Sequence, residues 1–346
     1  MNAKECVNYF VFFSLVCGSF AIEPVTGFAT LGVAVASGLM ALYRPIGCLF
    51  GECCSDRWIG LNATALRKEL SDKLYGQHLV NSAVTGHVKG HMLSRSPTRA
   101  MALSFHGGTG TGKNYVSKII AENIYRKGMK SQYVHLIAAT KEFPHEDMVP
   151  LYKDKLRNLI EKSIRTCERS LFIFDEVDKM PAGIIDTIKP YIDYYEQLNG
   201  VDYRKSMFIF LSNTGSTEIF DTTLKYWQDS RSREDIRLLD MENMVTKAAL
   251  NTKTSGLYHS DVLIKHLVTA YIPFLPLERR HVRDCIKDYL VAKRYYKRRS
   301  SVPDSVVREV ADELTYFPRG IEVFSSTGCK RVPEKVDYVM MNRDEF

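Results

Sequence analysis

MALSFHGGTGTGKN, residues 101–114, is the stretch from which the rest of the chain is read. Its first five residues are an apolar run of strand character. From Tyr115 to Tyr125, apolar residues recur at Val116, Ile119, Ile120 and Ile124, the spacing of an amphipathic helix. Strand, glycine-rich loop, lysine and helix in that order make a phosphate-binding loop. Gly107, Gly108, Gly110 and Gly112, with Thr109 and Thr111 between them, let backbone N–H groups turn inward on phosphate oxygens. The helix N-terminus adds about half a positive charge, and Lys113 neutralises the β- and γ-phosphates. Asn114 stands where this loop usually has Ser or Thr to place a hydroxyl on Mg²⁺. Its amide oxygen is expected to ligate the ion directly or through water, with slow intrinsic turnover as the consequence.

Downstream, Leu171-Phe-Ile-Phe-Asp175-Glu176 ends a buried strand in two carboxylates. Asp175 is expected to hold Mg²⁺ through water, and Glu176 to orient and deprotonate the water that attacks the γ-phosphate. A third strand, Met207–Leu211, leads into Asn213, which would hydrogen-bond the γ-phosphate or the attacking water. Between them, Tyr133–Ala138 reads as a strand. Asp147–Cys167 reads as an amphipathic helix with Leu151, Leu156, Leu159 and Ile160 inward, and Ala182–Leu198 as another helix. Alternating β and α units imply an α/β domain with a parallel sheet covered on both faces. Beyond about residue 255 the strands are expected to stop. Leu257–Val268, Leu277–Arg294 and Asp304–Leu314 read as helices, a small all-helical lid that carries Gly328-Cys329-Lys330 and could swing Lys330 towards the phosphates.

The chain has 346 residues, 45% of them hydrophobic and 25% charged, which excludes disorder, collagen-like repeats and a polytopic membrane protein. A net charge of +7 is too small at this length to demand a nucleic-acid partner. YFVFFSLV at residues 9–16, followed by Ser19 and Ala21 as small residues before a cleavage point, reads as a secretory signal peptide over residues 1–21, with an uncleaved signal-anchor as the alternative. Pro24–Tyr43 carries no charge and lies in a membrane-associating segment, residues 22–46. It is long enough to span about 30 Å of hydrocarbon. Its glycines and hydroxyl residues favour lying in the interface over spanning, with a buried soluble helix third. Removal of the signal takes Cys6 and Cys17 with it and leaves six of the eight cysteines, an even number for an oxidising compartment. Asn62-Ala63-Thr64 is a glycosylation sequon. The domains that follow are residues 47–255, nucleotide-binding, and 256–346, lid.

GGTGTGKN at Gly107–Asn114, FIFDEVDKM at Phe172–Met180, FLSNTG at Phe210–Gly215, FLPLE at Phe274–Glu278 and GCK at Gly328–Lys330 together resemble the torsins, luminal AAA+ ATPases. The likeness includes CLFGECC at Cys48–Cys54 and runs from about Gly47 to Tyr338. It implies an AAA+ fold with ATP and Mg²⁺ as cofactors, Asp175 and Glu176 as Walker B acids, Asn213 as first sensor and Lys330 as second. It further implies residence in the endoplasmic reticulum lumen and perinuclear space, monotopic membrane association, and low activity until a transmembrane activator with an AAA+-like luminal domain inserts an arginine that torsins lack. By the same analogy Cys285 pairs with Cys329, linking nucleotide sensing to redox state, and Cys48 with Cys167; Cys53 and Cys54 stay unassigned.

Three other features have plain readings. Lys293–Arg299, five cations with interleaved tyrosines, reads as a solvated helix end rather than a nucleic-acid site; Phe143–Glu146 reads as a turn and helix start rather than a metal or catalytic pair, and Asp193–Glu196 as amphipathic packing rather than tyrosines facing a substrate pore. Functionally, an ATPase that remodels proteins or membranes, working on protein clients as an oligomer, competes with a nucleotide-gated binding module. A cytosolic or nuclear loader-like ATPase follows if the N-terminal signal is misread.

Overall fold

The computed structural model describes Cys48, residues 51–252, 256–257, 260 and 267–343. The signal peptide, the membrane-associating segment and most of the expected helix Leu257–Val268 lie outside the described residues. The described chain falls into two units, residues 1–53 and 54–346. The first holds a disulfide between Cys48 and Cys53. The second contains the residues from which the sequence reading builds a nucleotide site.

The second unit opens with α1 (Ala63–Lys73) and α2 (His78–Leu93). Then come β1 (Met101–Gly107), α3 (Lys113–Ile124), β2 (Val134–Ala138), the short α4 (Ala139–Glu142), α5 (Val149–Thr166) and β3 (Leu171–Asp175). After α6 (Lys189–Ile192) follow β4 (Met207–Ser212), α7 (Ser216–Gln228), α8 (Leu238–Asn251) and β5 (Ala270–Phe274). The five strands form one parallel sheet in the order β2-β3-β4-β1-β5. Side chains alternate across it. Phe172, Phe174, Phe208 and Phe210 pack on one face with Leu156, Ile160 and Ile164 of α5, and Phe172 stacks on Phe208 at 5.1 Å between ring centroids. Leu103, Phe105, Ile173 and Ile209 pack on the other face with Val116, Ile119 and Ile120 of α3. Burying both faces of a sheet needs continuous apolar strands, which is why these segments read as runs rather than alternations.

Several expectations are corrected here. The strands do not stop near residue 255: β5 pairs with β1 from Leu103↔Ala270 to Gly107↔Phe274, so the sheet runs through Phe274. Its Pro273 is tolerated because β5 is an edge strand, where a missing N–H costs no ladder bond. The expected helix Ala182–Leu198 is broken into a 3₁₀ turn, Ile185–Ile188, and the one-turn α6. Gly183 at φ +80° and Pro190 interrupt it, yet Ile184, Ile185, Ile188 and Ile192 are all buried. Tyr194 and Tyr195 do not pack inward; they are 64% and 52% exposed. On α5 the inward stripe is Tyr152, Leu156, Ile160 and Ile164, a strict four-residue repeat, with Leu159 half-buried at its margin. Leu151 falls off that stripe and is exposed.

The lid has a core of its own. Helices α9 (Arg279–Ala292), α10 (Asp304–Asp312) and α11 (Val332–Met341) bury Ile286, Leu290, Val306, Val310 and Val336 against one another. A small hairpin, β6 (Tyr316–Phe317) with β7 (Phe324–Ser325), interrupts the all-helical expectation. It anchors on the sheet domain: Phe317 stacks on Phe220 of α7 at 4.7 Å, and Phe324 meets the same ring edge-on at 5.7 Å. Five cations in Lys293–Arg299 follow the end of α9, and Arg299 pairs with Asp284 and Asp288.

Candidate nucleotide-binding site

Parallel register brings the chemistry to one rim. His106 of β1 lies opposite Ser212 of β4, and Phe174 of β3 opposite Phe210 of β4. The loop after β1, the acids that close β3 and the Asn213 turn after β4 therefore share the carboxyl edge of the sheet, where ligands of open α/β sheets bind. The glycines earn their places by geometry. Gly112 caps α3 at φ +112°, a conformation that side chains rarely adopt, so Lys113 starts the helix.

Lys113 is buried, and its Nζ donates to the carbonyl oxygens of Gly107 at 2.6 Å and Gly108 at 3.0 Å and to Asn213 Oδ1 at 3.0 Å. Burial brings its pKa down to about 8; the carboxylates of Asp178 and Asp175 oppose that fall, and Lys330 adds to it. Asn114 Nδ2 donates to Asp175 Oδ2 at 2.6 Å. Glu176, the residue after β3, sits at φ +57°, left-handed backbone that a non-glycine residue adopts at a cost of about 1–3 kcal/mol and that clusters at functional sites. Its N–H donates to Asp175 Oδ1 at 3.0 Å, and its Oε2 accepts from Thr140 Oγ1 at 3.0 Å.

These groups open on a cleft of about 860 Å³ between the sheet rim and the lid. Thr109–Asn114, Asp175, Glu176 and Asn213 line its end at the sheet rim; Leu74, Tyr75, Tyr115, Tyr289 and Ala292 line the rest, together with Cys285, Cys329 and Lys330. The volume lies within the range of small-ligand sites. Tyr75 Oη donates to Asp288 of α9, tying the cleft wall to the lid. Lys330 reaches the cleft on a loop seated against the phosphate loop: Cys329 N–H donates to Gly110 O at 3.2 Å.

Three contributors went unseen in the sequence. Gln77 donates to Thr111 O at 3.0 Å and to Leu275 O at 2.8 Å while accepting from Leu275 N–H, stapling the phosphate loop to the chain after β5. Thr140 holds Glu176 from β2's far end, and Asp178 is buried beside Lys113 and Asn213. Gln77 and Thr140 are single polar residues outside any motif that only the tertiary fold brings to the site; Asp178 lies within FIFDEVDKM, two residues after Glu176, where nothing in the spacing marks its contact with Asn213.

For Mg²⁺, the donor chemistry fits. With the Asn114 amide N–H turned to Asp175, its Oδ1 and the Asp175 carboxylate offer hard oxygens beside the phosphate loop. Few protein ligands suit an ion that keeps its waters and takes phosphate oxygens, and among the described residues no cluster of three His, Cys, Asp or Glu forms a closed metal site.

The torsin family model matches residues 48–174, and that of the "Torsin-1A, C-terminal domain" matches residues 277–339. A Caenorhabditis elegans protein described as "Torsin-like protein" is 40% identical over 309 residues, covering 89% of this chain and 86% of its own length. The chain belongs to the torsin family of AAA+ ATPases. Among solved structures, the Saccharomyces cerevisiae Hsp104–ADP complex superposes with a TM-score of 0.54 at 15% identity over 81% of this torsin, and a closed-state Hsp104 reconstruction with ATPγS and casein gives 0.54 at 15% over 82%. The torsin spans 46% of those chains, and the likeness establishes the AAA+ fold.

The torsin's cysteines correct one pairing and keep another. Cys285 of α9 bonds to Cys329, as the resemblance implied. Cys167 bonds not to Cys48 but to Cys54, with Cα atoms 5.3 Å apart, and Cys48 bonds to Cys53. Of two adjacent cysteines, Cys54 belongs to the unit that contains Cys167, and Cys53 closes a local ring of five residues' separation instead. Asn62 is exposed and caps α1 through Oδ1, which accepts from Ala65 N–H at 3.0 Å. No helix among the described residues is long and apolar enough to cross a membrane.

Proposed function

We propose that this torsin hydrolyses ATP with Mg²⁺ and uses the difference between its ATP- and ADP-bound shapes to remodel proteins or membranes in the endoplasmic reticulum lumen and perinuclear space. The observation that carries the reading is the convergence of Lys113, Asp175, Glu176 and Asn213 on one rim. Lys113 Nζ and the inward N–H groups of Gly108–Lys113 bind the β- and γ-phosphates. Glu176 accepts a proton from the attacking water as its oxygen bonds to the γ-phosphorus and the bond to the bridging oxygen breaks, releasing ADP. Bound Mg²⁺ neutralises charge on the phosphate oxygens. Asp175 and Asn114 would hold it directly or through water, Thr140 orients Glu176, and Asn213 with Lys330 reads the γ-phosphate.

Compartment and partners belong to the same proposal. Three disulfides and an exposed sequon support an oxidising, translocated home; the cap on α1 uses Asn62 Oδ1, whereas a glycan attaches at Nδ2. Membrane association rests on residues 22–46, and family membership supports an oligomer, protein clients and a transmembrane activator whose AAA+-like luminal domain supplies an arginine. Asn114 in place of a hydroxyl supports low intrinsic turnover. It also keeps alive a second reading, in which ATP locks a partner complex and hydrolysis only resets it.

The test is ATP turnover by the full chain with and without the luminal domains of candidate activators, in wild type and Glu176→Gln. Stimulated, Glu176-dependent turnover is expected. If no stimulated turnover depends on Glu176, the locking reading replaces the motor reading.

A further inference from the structure

We infer that His106 and Asp178 are positioning residues for Asn213, and that this torsin's discrimination of ATP from ADP depends on the grip they keep on the turn that carries it, at the Asn213 N–H and the Thr214 carbonyl. The inference rests on the reading of the cleft as a nucleotide site with Asn213 as its γ-phosphate sensor. Neither residue lines the cleft.

His106 is fully buried near the end of β1, and its ring lies between two partners. Nδ1 is 3.0 Å from Thr214 O, and Nε2 is 2.6 Å from Ser104 Oγ. A carbonyl oxygen has no proton to give, so Nδ1 carries the hydrogen and donates it. Nε2 of the neutral ring then accepts from the Ser104 hydroxyl. Burial lowers the pKa of His106 to about 4, so the ring is neutral at neutral pH. The chain Ser104–His106–Thr214 thus ties β1 to the residue directly after Asn213.

The other side is held from β3. Asp178, buried in the 3₁₀ turn Val177–Lys179 after Glu176, accepts the backbone N–H of Asn213 at 2.9 Å. Within the turn, Ser212 Oγ accepts from Thr214 N–H at 3.0 Å and lies 3.0 Å from Thr214 Oγ1. The Asn213 turn is therefore gripped at the Asn213 N–H from the β3 side and at the Thr214 carbonyl from the β1 side. With the Asn213 N–H, the Thr214 N–H and the Thr214 carbonyl all bonded, the backbone of the turn is fixed, and Asn213 Oδ1 accepts from Lys113 Nζ at 3.0 Å. A sensor that must respond to one phosphate group needs this pre-set aim, because a 1 Å displacement forfeits its hydrogen bond.

The experiment measures the dissociation constants of fluorescent ATP and ADP analogues with Mg²⁺ on full-length Glu176→Gln protein, where ATP stays intact. His106→Leu and Asp178→Ala are expected to lower the preference for ATP over ADP about tenfold, the loss also expected of Asn213→Ala, with ADP affinity unchanged in His106→Leu. His106→Asn places an amide N–H where Nδ1 was, and Asp178→Asn keeps an oxygen acceptor; both are expected to hold the preference within about twofold. If His106→Leu fails to fold, His106→Gln serves in its place, since its amide reaches towards Ser104 rather than Thr214. Preserved preference in His106→Leu, or equal loss for both nucleotides that His106→Asn does not restore, overturns the inference. A parent protein that binds neither nucleotide overturns the functional reading and the inference with it, whereas a normal parent with a normal His106→Leu overturns the inference alone.

Discussion

Gly110 of the phosphate loop and Gly328 of the lid meet backbone to backbone. A Cβ on Gly328 would stand 2.2 Å from Gly110 O, and one on Gly110 would stand 1.8 Å from Thr327 O. Both residues have positive φ, +74° and +51°. The loop that carries Cys329 and Lys330 is therefore seated directly on the loop expected to hold phosphate, with no side chain between.

Gly328→Ala is expected to unseat that loop. The clash is with backbone, which cannot swing aside, and the left-handed φ adds about 1–2 kcal/mol of strain. ATP affinity is expected to fall about tenfold or more, and limited proteolysis to cut first in residues 318–331. Wild-type affinity and proteolysis would refute the seat.

Nucleotide affinity should be sensitive to alkali through Lys113. Its pKa of about 8 in the free protein means that the cation needed by the phosphates is lost as pH rises through 8, and a bound polyphosphate must pull the proton back. Between pH 7 and 9.5 the dissociation constant for ATP is expected to rise about tenfold, measured by titration calorimetry. Lys113→Arg, charged throughout this range, should bind more weakly at pH 7 and show no such slope.

Acid should unfold the protein partly through two histidines. His106 and His281 are buried, and burial lowers each from 6.5 to about 4. The unfolded chain binds these protons more readily than the folded one, so stability is fully present above pH 6.5 and lost as pH falls towards 4. The shifts correspond to at most about 3 kcal/mol for each residue. Denaturation midpoints at pH 7, 5.5 and 4.5 should show the loss, and His281→Asn should flatten the slope between them.

Non-reducing peptide mapping should recover Cys54 joined to Cys167 and Cys48 joined to Cys53. The Cys54–Cys167 bond closes 113 residues of separation, for which chain entropy gives about 4–5 kcal/mol. Cys54→Ser is expected to cost about 2–5 kcal/mol, read as a lowered midpoint in denaturant. A Cys48–Cys167 peptide would reverse the assignment.

Much of the fold was legible because the parallel sheet buries both faces. Continuous apolar runs such as Phe172–Phe174 and Met207–Leu211 have no other stable home, and each ends in the polar residue that its register carries to the rim. β5 escaped notice because AYIPF is short and contains Pro273, which only an edge position allows. The segment around Pro190 looked helical because its isoleucines recur at helical spacing; burial of those isoleucines does not require a continuous hydrogen-bond ladder.

Residue order alone pointed to the phosphate-loop spacing, to Asp175 and Glu176 at the end of β3, to Asn213 and to the torsin family, since these readings depend on local spacing and residue type. Tertiary structure decided the rest: which of Cys53 and Cys54 reaches Cys167, that Thr140, Gln77, Asp178 and His106 support the site, and that Gly328 sits on Gly110. These are contacts between residues far apart in the chain, selected by packing and by the need to satisfy buried polar groups, and neither leaves a periodic trace along the sequence.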